Sequence, residues 1–459
     1  SPFHVQDLSL SYRKAEKKSD VFFVIYGKER CENTIFCFFC SFLIVFDFLL
    51  TESVVPVIIS INRKNRKEIL RKKEIRLKKL GIIGYGLRSE TMMKAFQGIQ
   101  APVQIAAVAD PLWCQKQEAF AQTAEFAQTV FYETAEEMLE KERLDGVLIG
   151  TRCNQHTKYA ELVFQKKIPL FLEKPVCINE EQYQRLLHAS EGMRGQTVVS
   201  FPLRFTCIVK EMKKLVDSGE LGEVLSVQAT NHVPYGSVYY HSWYRDDSLT
   251  GGLFLQKSTH DMDYITYILG KRPVSVVAKT AKMYFKGEKE AGLCCEDCSE
   301  YHTCPESSFV VKTERKEEPN GKYCCFAKDT GNEDVGAAIF TCEDGTIISY
   351  HQTFFVKNNA GRRGARFIGS KASAEFDFYT ATLRVDYYDT KHSAEHRFTY
   401  PEGLVHFGGD EQLAKAYVDV LEGKESRSDL CAGLASAAAC LAAKKAAENG
   451  KEEHIFYGF

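Results

Sequence analysis

At 459 residues the chain is too long for one compact core, which calls for two domains and additional segments. Its 59 basic and 61 acidic side chains leave a net charge of −2, which excludes nucleic acid or an anionic membrane as a general electrostatic partner. The 44% hydrophobic and 26% charged content is that of an ordinary soluble protein, and 16 cysteines without an evident cleavable signal fit a reducing cytoplasm, where disulfides are not expected.

Residues 1–78 read unlike the rest. Residues 35–50 are apolar and aromatic, but Asp47 interrupts them and the run is only 16 residues, short of the roughly 20 needed to span a bilayer. A second apolar run over 54–61 is broken by Pro56, and residues 63–79 carry ten Lys or Arg against two Glu. This stretch is expected to be a poorly ordered extension or no part of the native protein, with the working chain beginning near Leu77.

From residue 79 the pattern changes to strands alternating with helices. Residues 79–84 form a short buried strand that runs into Gly84-Tyr85-Gly86-Leu87-Arg88-Ser89 and then a helix to about Gln97. Strand, glycine turn and helix in that order suit a pyrophosphate. Gly84 permits the turn, Gly86 lets backbone approach phosphate at the helix start, and Ser89 stands where a third glycine is usual. Residues 103–109 form a second strand ending on Asp110-Pro111. An acid there accepts from the adenosine ribose and repels a 2′-phosphate, favouring NAD over NADP. Helices over 115–129 and 133–141, a strand over 144–150, a helix over 156–166 and a strand over 168–172 continue the alternation, which implies a parallel, doubly wound sheet. Ligands bind beyond the carboxyl ends of such strands, where Thr151, Asn154 and His156 lie, and where Glu173, Lys174 and Pro175 follow.

The run Leu172-Glu173-Lys174-Pro175, with the glycine turn, Asp110-Pro111 and Thr151…His156, resembles the glucose–fructose oxidoreductase, inositol dehydrogenase and MocA (Gfo/Idh/MocA) family. The resemblance implies an α/β protein: an NAD(P)-binding Rossmann domain, here 79–198, then an α/β domain with a large open, mostly antiparallel sheet that often supports oligomers, here 199–459. It implies a dehydrogenase acting on a sugar or polyol, with Lys174 reaching the nicotinamide and the reacting hydroxyl. Chemistry agrees, because alcohol oxidation needs a proton acceptor and a desolvated lysine can serve. Gly251-Gly252 and the helix after it resemble the segment that carries the family's catalytic histidine, here His260. The residue one helical turn earlier, usually aspartate in the family, is Gln256. Lys257 and His260 share a helix face, and a nearby lysine tends to keep His260 neutral.

The aromatic run 233–245 offers rings and hydrogen-bonding groups suited to a carbohydrate, and Tyr235, Tyr240, His241, Trp243 and Arg245 are expected in the substrate pocket. Arg204 resembles a family position near the cofactor cleft, and Gln256 and Lys257 join the substrate candidates. Cysteines 294, 295, 298, 304, 324 and 325 cluster in an insertion over 286–334, where Cys295, Cys298, Cys304 and Cys324 are expected to hold a structural zinc. Strands over 337–341, 346–355, 365–369, 374–378, 382–388 and 395–400 and helices over 408–422 and 430–448 complete the second domain. The same residues suit two alternatives: redox-neutral glycoside cleavage on a retained NAD, or a non-catalytic NAD or sugar sensor.

Overall fold

The computed structural model describes residues 76–112, 120, 126–400 and 405–459. The expected N-terminal extension lies outside the described residues except for its last three, and so does most of the helix expected over 115–129.

The first sheet has six short strands: β1 (Lys78–Ile83), β2 (Val103–Ala109), β3 (Val130–Tyr132), β4 (Gly146–Ile149), β5 (Leu170–Leu172) and β6 (Thr197–Val199). They pair in the order β3-β2-β1-β4-β5-β6, all parallel. Leu80, Ile82, Leu148 and Phe171 are wholly buried. A strand covered on both faces needs a continuous apolar run, not alternation. Helices Leu87–Gly98, Ala135–Lys141, His156–Gln165 and Glu180–Ala189 lie along this part of the chain. Their starts are local: the Thr134 side chain accepts from the Glu137 N–H, and Asn179 from Gln182. The strand order reverses between β1 and β4, which opens a crevice beyond their carboxyl ends.

The second sheet has nine strands: β7 (Val224–His232), β8 (Pro273–Ala281), β9 (Val335–Cys342), β10 (Ile347–Thr353), β11 (Arg362–Gly369), β12 (Ala372–Asp377), β13 (Thr382–Tyr387), β14 (Ser393–Arg397) and β15 (Glu453–His454). Every neighbouring pair is antiparallel except β7 with β10. Alternation marks its strands: β9 buries Ala338 and Phe340 and leaves Ile339 exposed between them. The alanine-rich helix Leu430–Asn449 packs on β8 and on β6, joining the two sheets. Close approach is possible because Gly433 faces Val199 and Val176, where a Cβ would fall 2.8 and 2.9 Å from their methyls.

The insertion is mainly loop with one short helix, Ser308–Thr313. Its closing residue, buried Asp334, accepts from the backbone N–H groups of Met283, Tyr284 and Phe285 at 2.7, 2.7 and 2.6 Å. Phe285 stacks on Tyr240 with ring centres 4.0 Å apart. The expected zinc is not shown. Among the described residues no group of three or more His, Cys, Asp or Glu side chains is placed to hold a metal ion. Cys295, Cys298, Cys304 and Cys324 carry free thiols; a buried carboxylate and an aromatic cluster fasten the loop instead.

Candidate active site

The crevice between β1 and β4 is built around Gly84. Its φ is +80°, and a Cβ there would sit 2.7 Å from Thr151 Cγ2, so only glycine fits. Ser89 Oγ donates to Gly84 O at 2.7 Å, which holds the turn against the helix. Gly86 caps helix Leu87–Gly98 without a side chain, and a Cβ at Gly86 would meet only Gly150 O, at 3.8 Å. The helix start thus has room and N–H groups for a diphosphate. Leu87, at the first helical position, is 79% exposed. Asp110, at the end of β2, accepts from Tyr85 N–H at 2.9 Å and Leu112 N–H at 2.8 Å, which fixes its carboxylate beside the glycine turn.

Two residues expected at the cofactor are used differently. The Arg88 guanidinium is committed to Glu173 and Asp410, each at 3.0 Å, and to Ser200 Oγ at 3.2 Å. Buried His156 places Nδ1 2.7 Å from Pro175 O and Nε2 3.2 Å from Thr151 O, so both nitrogens face main-chain carbonyls and tie the two loops together. Asn154 leaves its buried Oδ1 without a hydrogen bond among the described residues.

A second group of candidate residues lies beyond β5. Lys174 donates from Nζ to the main-chain oxygen of Gln256 at 2.7 Å. Burial, then the neighbouring Lys257, lowers its pKa to about 8. Lys257 is 5% exposed and donates to Tyr235 Oη at 2.6 Å and Tyr239 Oη at 3.0 Å. Burial, then Arg363, lowers its pKa to about 7. His260 is buried with Nδ1 lacking a hydrogen bond among the described residues. Burial, then Lys174, pushes its pKa well below the ordinary imidazole value, so the ring is neutral at physiological pH. Its ring faces Phe201 at 6.1 Å and His406 at 5.9 Å. The Gln256 Oε1 is also buried without a hydrogen bond among the described residues.

The aromatic run divides. Tyr235 reaches Lys257, and Trp243 stacks on Tyr244 with ring centres 3.8 Å apart while the Arg152 guanidinium lies 3.7 Å from the Trp243 ring. Tyr240, His241 and Arg245 do not join them. Tyr240 donates to Glu333 O at 2.7 Å inside an apolar cluster, His241 Nδ1 lies 2.6 Å from Tyr323 O, and Arg245 pairs with Asp329. All three face the insertion, because residues 238–245 form short helical turns that send consecutive side chains in different directions. Arg204 is likewise spent on a buried pair with Asp263 and on Arg427 O at 2.8 Å. Asp263, three residues after His260 on the same helix, is therefore taken by Arg204.

Sequence reading missed Tyr239, Arg363, His406 and Asp410. His406 Nδ1 lies 2.9 Å from Asp410 Oδ2, and the chain passes through φ of +50° at His406 and +55° at Phe407 just before helix Gly409–Leu421. Nothing in the sequence marks this strained entry.

Residues 78–201 match the sequence model of an oxidoreductase family with an NAD-binding Rossmann fold, and residues 209–375 match that of the GFO/IDH/MocA C-terminal domain. The Bacillus subtilis protein YteT is 25% identical over 70% of this chain and 82% of its own length. An inositol 2-dehydrogenase of Rhizobium meliloti is 27% identical over 47% of this chain and 62% of its own. Among solved structures, levoglucosan dehydrogenase with NADH and levoglucosan superposes with a TM-score of 0.65 at 17% identity, over 82% of this chain and 99% of that one. The myo-inositol 2-dehydrogenase of Lactobacillus plantarum gives 0.61 at 16%, over 83% and 99%. At such identities the structural likeness speaks for the fold.

Proposed function

The chain belongs to the Gfo/Idh/MocA family of oxidoreductases, and we propose that it moves a hydride between NAD and a hydroxyl-bearing or keto carbon of a sugar or polyol. The observation that carries this reading is Lys174: a partly buried amine with a pKa lowered to about 8, just beyond a strand end and beside neutral His260. The levoglucosan and inositol dehydrogenases that resemble the chain act on such substrates by name.

Residues 79–198 form the cofactor part and 199–459 the substrate part. The Gly84–Gly86 turn and the helix start bind the pyrophosphate, Asp110 accepts from the ribose and disfavours a 2′-phosphate, and Thr151, Asn154 and Glu173 line the crevice. Bound there, the nicotinamide would accept or give the hydride. Lys174 takes the hydroxyl proton at Nζ, with Gln256 O orienting the amine. His260, with an open Nδ1, holds the reacting hydroxyl or relays its proton. Tyr235 and Trp243 offer faces for sugar C–H groups. Lys174→Ala should cut turnover by about 10²–10⁴-fold while NAD still quenches protein fluorescence. A variant with near-normal turnover would remove Lys174 from the reaction.

The nine-stranded sheet carries an apolar concavity of about 500 Å³ lined by exposed Val277 and Ile339 among others. This supports a homo-oligomer through that surface. Light scattering should give at least a dimer; a monomer at micromolar concentration would refute it. All twelve described cysteines are free thiols, which supports a cytoplasmic setting.

A further inference from the structure

Buried charges around the reaction end are matched one against another, with two exceptions. Arg88 is held by Glu173 and Asp410, Arg204 by Asp263, and Arg363 by Asp261. Lys174 and Lys257 form no ion pair among the described residues. Lys174 reaches a main-chain carbonyl, and Lys257 reaches two phenol hydroxyls. Gln256, between them in the chain contacts, supplies an amide and no charge. Buried Lys257 and partly buried Lys174 thus neighbour each other without an acid of their own: Asp261 and Glu173, the carboxylates that act on them, are already paired with Arg363 and Arg88. Burial pulls both away from the charged form, helped by Lys257 at Lys174 and by Arg363 at Lys257. A buried cation without an anion either gives up its proton or is completed by a ligand that brings the anion.

Access favours a ligand. Tyr235, whose hydroxyl lies 2.6 Å from Lys257 Nζ, is 45% exposed, so the ammonium sits behind a side chain that already faces solvent. The available donors are one ammonium and two hydroxyls, which match the two oxygens of a carboxylate. The nearby guanidinium, Arg363, is ion-paired with Asp261 and donates to it from Nε, although its Nη2 makes no hydrogen bond among the described residues, so part of its charge is already met before any anion binds.

We infer that the substrate is a sugar acid, its carboxylate bound by Lys257 with the hydroxyls of Tyr235 and Tyr239, leaving Lys174 and His260 to the reacting carbon. The inference rests on the oxidoreductase reading of the same site. Two consequences follow from charge. Binding a carboxylate stabilises the ammonium form, so at a pH above about 7 it is accompanied by proton uptake. As pH rises further, fewer molecules carry the ammonium and affinity for the acid falls.

The full-length protein would be given NAD with D-glucuronate, D-galacturonate and D-gluconate, each against its uncharged counterpart D-glucose, D-galactose or sorbitol. At least one acid should exceed its counterpart in kcat/KM by about tenfold to a hundredfold, the worth of one charge-assisted hydrogen bond. Lys257→Met should bring that ratio near one, mainly by raising KM for the acid. Calorimetry of the wild-type protein near pH 8, in two buffers of different ionisation enthalpy, should show proton uptake with the acid and none with the neutral sugar. This second measurement decides the matter even if the variant does not fold. Neutral sugars turned over as well as the acids, or acids bound without proton uptake, would overturn the inference and leave the dehydrogenase reading intact. An acid bound with proton uptake but without nicotinamide reduction would sustain the anion site and overturn the dehydrogenase reading. Failure of all three acids to bind would overturn the inference.

Discussion

Lys174, Lys257 and His260 form one electrostatic unit in which the two amines lower the proton affinity of their neighbours. Lys257 acts on Lys174, and both amines act on His260. A base must be unprotonated to accept the proton of an alcohol. With Lys174 near 8, kcat/KM for oxidation of a neutral sugar, which does not call on the Lys257 charge, should rise about tenfold per pH unit at lower pH and level off above about 8. Reduction of the keto product needs the protonated amine and should show the opposite trend. A flat profile between about pH 6 and 9 under conditions where chemistry limits would mean that Lys174 does not transfer the proton. Lys174 and His260 were legible because they sit in short motifs. Lys257 was legible only as a neighbour of His260; its bonds to Tyr235 and Tyr239 cross a stretch of irregular helical turns with no period to follow. Tyr239 and Tyr240 show the difficulty. They are adjacent, yet one reaches Lys257 and the other packs on Phe285. His406 was invisible, because its place depends on two positive-φ residues that no motif announces.

Among the elements, the buried parallel strands were the plainest in the sequence. Continuous apolar runs bounded by glycine or Asp-Pro gave β1, β2, β4 and β5 within a few residues. Strand β3 was not read: three residues carry too little pattern, and its pairing to β2 makes it a strand. β7 and β8 were also missed, because apolar and polar residues fall on both faces: β7 exposes Leu225 and buries Asn231, and β8 exposes Val274 and Val277 and buries Ser275. The cysteine-rich insertion was read as a loop, but what fastens it was not. Asp334 accepts from three consecutive N–H groups on the far side of the insertion, and no spacing rule connects residues 283–285 to 334. Asp334→Ala would leave those donors buried without an acceptor. It should cost about 3 kcal/mol or more in stability and speed proteolysis within residues 286–334, read by denaturant melts and limited digestion. An unchanged midpoint and digestion pattern would assign the anchoring elsewhere.

For the molecule as a whole, two sheets share one alanine-rich helix, and the reaction end lies where residues from both parts of the chain meet: Lys174 follows β5, and Lys257 and His260 stand near the start of helix Ser258–Leu269. The decisive measurement follows nicotinamide reduction and sugar consumption together, with NAD or NADP and a panel of neutral sugars, sugar acids, polyols and glycosides. Hydride transfer to NAD with Lys174 as the base requires NADH formed mole for mole with oxidised sugar, NAD preferred over NADP, and loss of both signals in Lys174→Ala. Sugar cleaved without net nicotinamide reduction, or ligand bound with no turnover, would contradict it.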